Sequence, residues 1–216
     1  MKAVMYTTAE NGERLEDVLY PVKDEGEENQ VLNIYEELTF QKLESFGGAV
    51  TDAAGYVFSC MPRKEQEELL NMYFRPEQMG YERVRVHMDS CDFCTHMYEA
   101  DSDETDENLE KFSFADTERY IIPLLEAAQE KAGKKLKVML SVWSPPAYMK
   151  TNGKRKKGGS LKKEYRGRWA EYLCRYMEEF RKRGFLVERM SVQNEPKAVQ
   201  EWDSCIYTSR EEKEFL

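Results

Sequence analysis

Short apolar runs alternate with longer amphipathic stretches along most of this chain. Val84-Arg-Val-His-Met88, Leu136-Lys-Val-Met-Leu-Ser-Val142 and the run from Val187 to Gln193 are rich in apolar and β-branched residues. Brief runs of that kind, bounded by turn formers, predict buried strands. Phe46-Gly-Gly-Ala-Val-Thr-Asp-Ala-Ala54 supplies an earlier strand, whose glycines let another backbone come close or mark a bulge. Between the runs, apolar residues recur at helical spacing. Leu69, Leu70, Tyr73 and Phe74 give one face to a helix opening at Ser59-Cys-Met-Pro62 and ending by Gly80; proline suits a first helical turn because its missing N–H costs nothing there. Ile121, Ile122, Leu124, Leu125, Ala128 and Ala132 stripe a helix over 115–132 that stops at Gly133. Trp169, Tyr172, Leu173, Tyr176, Met177 and Phe180 stripe another over 165–182, stopping at Gly184. Thr208-Ser-Arg-Glu211 has the spacing of a capping box at the start of a further helix.

Strand and helix therefore alternate four times, which predicts an α/β fold with parallel strands joined by crossover helices. Four βα units are half of a (β/α)8 TIM barrel, which usually takes about 250 residues, and this chain has 216. Residues 1–30 are weakly patterned and acidic, with Asp24-Glu-Gly-Glu-Glu28 as a solvated turn. Val31–Tyr35 and Leu38–Leu43 alternate enough to predict short accessory β-strands. The expected organisation is an accessory β segment over 1–40 and a partial barrel over 41–216.

Composition excludes some partners. A net charge of -9 repels the phosphates of nucleic acid. No apolar run nears the roughly 20 residues that span a bilayer. The amino-terminal residues lack an apolar signal core, so a cytoplasmic location with reduced thiols is expected. Of the five cysteines, Cys91-Asp-Phe-Cys94 has metal-like or redox-like spacing, but no second such pair and no HxxxH accompanies it. No metal or cofactor is predicted, and His87 and His96 are expected to be structural. The six acidic side chains between Glu99 and Glu107 predict a solvated loop without the EF-hand spacing. Lys154-Arg-Lys-Lys157 predicts an exposed basic loop, since P-loop spacing is absent.

Candidate chemistry lies at the strand ends. Ser191-Val-Gln-Asn-Glu-Pro196 puts Asn194 and Glu195 at the carboxyl end of the fourth strand, the active-site face of parallel barrels. A carboxylic acid beside an amide donor suits glycoside cleavage, where the acid protonates the leaving oxygen and the donor holds the 2-hydroxyl. The same residues also suit a turn that closes a strand.

Six stretches in order resemble glycoside hydrolase family 30, whose barrels include glucosylceramidases, β-1,6-glucanases and xylanases. They are Phe46–Ala54, Arg85–Phe93, Ser141–Gly153, Gly159–Lys162, Gln193–Pro196 and Gln200–Cys205. Ser90-Cys-Asp-Phe93 leans toward the glucosylceramidase branch. The resemblance implies a retaining β-glycoside hydrolase acting on a β-glucoside or β-glucan. Glu195 would be the acid/base and Asn194 the 2-hydroxyl ligand; Asp92 and Trp143 would grip the outer hydroxyls, and Arg85 would brace the catalytic carboxylates. The family's nucleophile is a glutamate on the seventh strand, for which this sequence has no counterpart. The chain is therefore expected to be inactive alone, with a second chain able to supply strands five to eight. The alternatives are a non-catalytic carbohydrate-binding half-barrel and a partner-recruiting module.

Overall fold

The computed structural model describes residues 3–12, 14–19 and 33–216. The chain divides into two compact units, Met1–Leu43 and Glu44–Leu216. In the first, β1 (Ala3–Thr8) and β2 (Arg14–Leu19) form an antiparallel hairpin pairing Ala3 with Leu19 and Thr8 with Arg14. Gly12 makes the turn possible: at φ +82° its N–H donates to the Ala9 carbonyl at 2.9 Å. The weak patterning of this stretch conceals both strands. The strand expected over Leu38–Leu43 does not form. Leu38, Phe40 and Leu43 are all exposed, so their alternation has no face to bury. Residues 33–35 are also irregular, while 31, 32 and the acidic 24–28 turn lie outside the described residues.

The second unit carries a four-stranded parallel sheet in the order β3 (Gly47–Val50), β4 (Arg83–Met88), β5 (Lys137–Val142) and β6 (Leu186–Ser191). Helices α1 (Asp52–Cys60) and α2 (Arg63–Phe74) connect β3 to β4, α3 (Ala115–Ala132) connects β4 to β5, and α4 (Arg166–Lys182) connects β5 to β6. The short α5 (Ser209–Phe215) follows, opened by the full capping box of Thr208 and Glu211. This is the α/β architecture that the strand–helix rhythm predicts.

Side-chain alternation along a strand explains how the sheet is used. Val84, Val86 and Met88 on β4, and Val138, Leu140 and Val142 on β5, are buried in one core with the stripes of α3 and α4. Each such side chain contributes roughly 1.5–3 kcal/mol by leaving water. Trp169, Tyr172, Tyr176 and Phe180 are completely buried, so α4 brings its aromatic face to the sheet. The intervening residues Arg85, His87 and Ser141 occupy the opposite face, and their ends are where the chemistry gathers. Among the described residues β6 pairs with β5 alone, and a register shift at Val138/Met139 marks that pairing.

Helix α1 corrects the expectation that a helix opens only at Ser59. Thr51 caps it by accepting the Ala54 N–H at 3.2 Å, and Asp52 lies in its first turn. The small residues that resemble a strand instead allow close packing: a Cβ on Gly55 would fall 2.3 Å from the Tyr120 carbonyl oxygen of α3. Met61, which precedes Pro62, is extended and ends α1. Arg75 is likewise extended before Pro76, so α2 stops at Phe74, well before Gly80.

The acidic run 99–107 is only partly the solvated loop expected. Asp101 and Asp106 are buried. The Asp106 carboxylate accepts the Glu110 and Lys111 N–H groups at 3.0 and 2.6 Å, and Arg168 donates to the carbonyls of Asp103, Glu104 and Asp106. The carboxylates cap a tight local fold, which is why so many of them occur together.

Candidate functional site

The ends of β3 to β6 enclose a cleft of about 250 Å³ lined by Ala49, Thr51, Arg85, His87, Cys91, Asp92, Phe93, Trp143, Asn194 and Glu195. All five residues singled out from the sequence are therefore brought together. A larger groove of about 610 Å³ runs along β3, α1 and α2, but its lining is almost entirely apolar and carries no acid or base suited to the chemistry.

Parallel register explains the convergence. Ala49 pairs with Arg85 and Arg85 with Met139, while His87 pairs with Ser141, so Arg85 stands near the sheet's centre on the cleft face. One guanidinium nitrogen donates to Ser141 Oγ at 2.8 Å and to Asn194 Oδ1 at 2.7 Å. The guanidinium carbon lies 4.7 Å from the centre of the Trp143 ring, in cation–π contact. Arg85 thus ties β4, the end of β5 and the residues after β6 into one frame. Among the described residues, its hydrogen bonds run to a hydroxyl and an amide, in place of the carboxylates that were expected.

That contact also fixes the chemistry of Asn194. A guanidinium only donates, so the atom it meets must be the amide oxygen, and the NH2 is left as the group that can donate to a ligand. The Asn194 backbone N–H donates to the Val142 carbonyl at 2.6 Å. Gln193 is buried and donates from Nε2 to the Trp143 and Asn194 carbonyls at 2.7 and 2.9 Å. Sequence reading gave Gln193 no role; it fastens the tip of β6 to the tip of β5.

Glu195 follows with φ of +47°, left-handed backbone that a residue with a Cβ seldom adopts. Its carbonyl accepts the Ala198 N–H at 2.8 Å and that of Pro196 accepts the Tyr207 N–H at 2.9 Å, so the turn is held from both sides. A strained residue kept at the mouth of a cleft marks a position where geometry is maintained at a stability cost. Glu195 and Asp92 are exposed there, whereas Trp143 is buried, its wall formed by Arg85 and His87.

The loop after β4 rests on a buried ionic cluster that the sequence does not announce. Arg155, expected on an exposed basic loop, is only 7% exposed. It donates to Asp203 Oδ2 at 3.2 and 2.7 Å, to Asp89 Oδ2 at 3.2 Å and to Glu99 at 3.3 Å. Burial works against its charge, but Asp89 and Asp203 outweigh it and push its pKa up. Burial pushes the Asp89 carboxyl up, opposed by Arg155, the Ala100 N–H and the Tyr172 hydroxyl. Asp89 and Ser90 lead directly into Cys91 and Asp92, so this cluster sets where Asp92 stands.

His87 is also more than a filler. It is buried on the cleft wall, where its Nε2 accepts the Asp52 N–H at 3.0 Å and its Nδ1 meets the Asp89 carbonyl at 2.5 Å. Burial lowers its pKa, but Cys94, the Asp89 carbonyl and Asp52 together raise it above the ordinary value. All five cysteines are free thiols.

Residues 43–216 match the model of the glycosyl hydrolase family 30 TIM-barrel domain. Among curated proteins, putative glucosylceramidase 4 of Caenorhabditis elegans is 31% identical over 226 residues, covering 100% of this chain and 43% of that protein. Lysosomal acid glucosylceramidase of Mus musculus is 31% identical over 173 residues, covering 78% of this chain and 34% of the relative. Among solved structures, that of SrfJ from Salmonella typhimurium superposes with a TM-score of 0.88 at 33% identity, covering 100% of this chain and 48% of that one. The chain thus spans less than half the length of these relatives.

Proposed function

The chain belongs to the glycosyl hydrolase family 30 TIM-barrel family, and from that premise we propose that it supplies the acid/base half of a retaining β-glucosidase site. Glu195 protonates the glycosidic oxygen as the aglycone leaves and then deprotonates the attacking water. Asn194 donates its NH2 to the sugar's 2-hydroxyl, its orientation set by Arg85. Asp92 accepts hydrogen bonds from outer hydroxyls of the terminal sugar, and Trp143 forms the wall beside them. The observation that carries this reading is Glu195, held in left-handed backbone beside an amide whose donor face is fixed, at the mouth of a cleft shared with Asp92 and Trp143.

Retaining hydrolysis needs a second carboxylate about 5–5.5 Å from the first as nucleophile. The family places it on a seventh strand, beyond the four of this sheet, and we assign Asp92 to binding. The chain by itself therefore binds a β-glucoside without turning it over. Strands five to eight, on this polypeptide or a second one, would complete the pair and cover the edges of β3 and β6. The names of the relatives favour glucosylceramide-like substrates.

The test is release of aryl alcohol from an aryl β-glucoside, with and without a carboxyl-terminal half-barrel from a relative, for the wild type and Glu195→Gln. Turnover that appears only on mixing, and not with Glu195→Gln, is expected. Equal turnover by the two variants would remove Glu195 from the mechanism.

A further inference from the structure

The side chains of His87, Cys91 and Cys94 form a compact donor set that the glycosidase reading does not use. One ligand atom from each lies within 4.8 Å of the others. The two Sγ atoms are 3.6 Å apart, and Cys94 Sγ is 3.6 Å from His87 Nε2. Zinc bonds of about 2.3 Å to sulfur and about 2.0–2.1 Å to nitrogen, at tetrahedral angles, require sulfurs about 3.8 Å apart and sulfur to nitrogen about 3.6 Å. Those two separations are close to the required edges; the Cys91–His87 edge is held within 4.8 Å and closes as the metal binds.

The surroundings fit as well. His87 Nδ1 faces the Asp89 carbonyl at 2.5 Å, the outer hydrogen bond that fixes a ligating histidine's tautomer and aims Nε2 at the metal. The Phe93 N–H points at Cys91 Sγ at 3.3 Å and the Cys91 N–H at Cys94 Sγ at 3.1 Å, donors that stabilise thiolates. One contact opposes binding: Nε2 now accepts the Asp52 N–H at 3.0 Å and would have to release it. His87 and Cys91 line the cleft, so a fourth position would open toward the space beside Asp92.

We propose that His87 Nε2, Cys91 Sγ and Cys94 Sγ bind one thiophilic divalent cation, Zn2+, with its fourth position facing the cleft. Binding forms two metal–thiolate bonds and one metal–imidazole bond, and it releases the two thiol protons to solvent. No electron is transferred. Asp92 lies between the two cysteines in sequence, so the occupied site immobilises the loop that carries it.

Co2+ reports tetrahedral thiolate coordination through visible d–d bands and a sulfur-to-metal charge-transfer band. The full chain, reduced with a phosphine and carrying Cys60→Ser and Cys174→Ser to remove its exposed thiols, is titrated anaerobically with Co2+ and then Zn2+. The expected result is one Co2+ per chain, both band types, two protons released per ion and displacement by Zn2+. Adding Cys94→Ser, whose hydroxyl preserves the loop's size and polarity, should abolish the charge-transfer band or weaken binding at least tenfold. Circular dichroism, unchanged by that substitution, verifies the fold, and Cys91→Ser provides the second variant. Absence of the band, or its persistence in both variants, would overturn the assignment. Neither result depends on glycoside hydrolysis, so this proposal and the glycosidase reading fail separately.

Discussion

Replacing Arg155 with methionine should be among the most damaging single changes outside the apolar core. Methionine retains most of the side chain's volume and removes its charge, so the loss is electrostatic. Asp89 keeps the Tyr172 hydroxyl at 2.8 Å and the Ala100 N–H at 2.9 Å, and is only partly orphaned. Asp203 loses both guanidinium contacts and retains Ser90 Oγ at 2.5 Å, with its other oxygen already lacking a partner. Both carboxylates are almost fully buried, and breaking a buried pair by removing one partner costs about 3–5 kcal/mol. We expect about 4 kcal/mol, a fall of roughly 2 M in the urea midpoint for a slope near 2 kcal/mol/M. The pH dependence follows from Asp89, whose folded pKa is already raised by burial. A raised carboxyl contributes stability below its unfolded pKa and loses it as pH rises through the folded one. Arg155 opposes that rise, so removing the arginine strengthens it, and the deficit should be smaller at pH 4 than at pH 7. Adding Asp203→Asn should recover about half the loss. Urea unfolding followed by tryptophan fluorescence checks each figure. A loss under about 1 kcal/mol, or a deficit that grows on acidification, would refute the assignment of this cluster as the support of the Asp92 loop.

Gly55→Ala should cost about 1–3 kcal/mol in thermal or urea unfolding, because its Cβ meets the Tyr120 carbonyl oxygen at 2.3 Å and the α1–α3 backbones must separate. Gly167→Ala, exposed on α4 with nothing within 4 Å of its Cβ, should instead stabilise by about 0.5 kcal/mol. Burial lowers the pKa of Lys150 to about 8, although its ammonium donates to the Arg155 and Ser204 carbonyls. The folded state then holds fewer protons than the unfolded state between pH 8 and 10.5, and stability relative to Lys150→Met should rise across that window by at most about 3 kcal/mol. Asn194→Asp places an acceptor where the sugar needs a donor, and should abolish glucoside-induced changes in tryptophan fluorescence while leaving the urea midpoint within about 1 kcal/mol.

The sequence made the βα rhythm legible because β4, α3, β5 and α4 bury one continuous face each, and burial writes its period into the residues. Helix α1 escaped because it opens on the small residues Ala53, Ala54 and Gly55, the last pressed against the Tyr120 carbonyl of α3, so no apolar stripe marks its start. The β1–β2 hairpin escaped for a related reason, its described side chains from Val4 to Thr8 being exposed or half-buried. The five candidate site residues were identifiable from motifs at strand ends, and parallel register explains why they meet. Arg155 and His87 were not identifiable. Their partners, Asp203 and Asp52, lie 48 and 35 residues away, and nothing local distinguishes a buried arginine in a basic run from its exposed neighbours. The bond from Arg85 to Asn194, in place of a carboxylate, was likewise a matter of three-dimensional reach.

Calorimetric titration of an aryl β-glucoside into the purified chain tests the central claim most directly, since heat reports binding and hydrolysis in one trace. The account predicts saturable heat in the millimolar range for the wild type and Glu195→Gln, its loss in Asp92→Ala, and no sustained heat of hydrolysis. Sustained heat that Glu195→Gln abolishes would show that the cleft already contains its nucleophile. A trace with no saturable heat would show that Asp92, Trp143 and Asn194 do not form a sugar site in this chain.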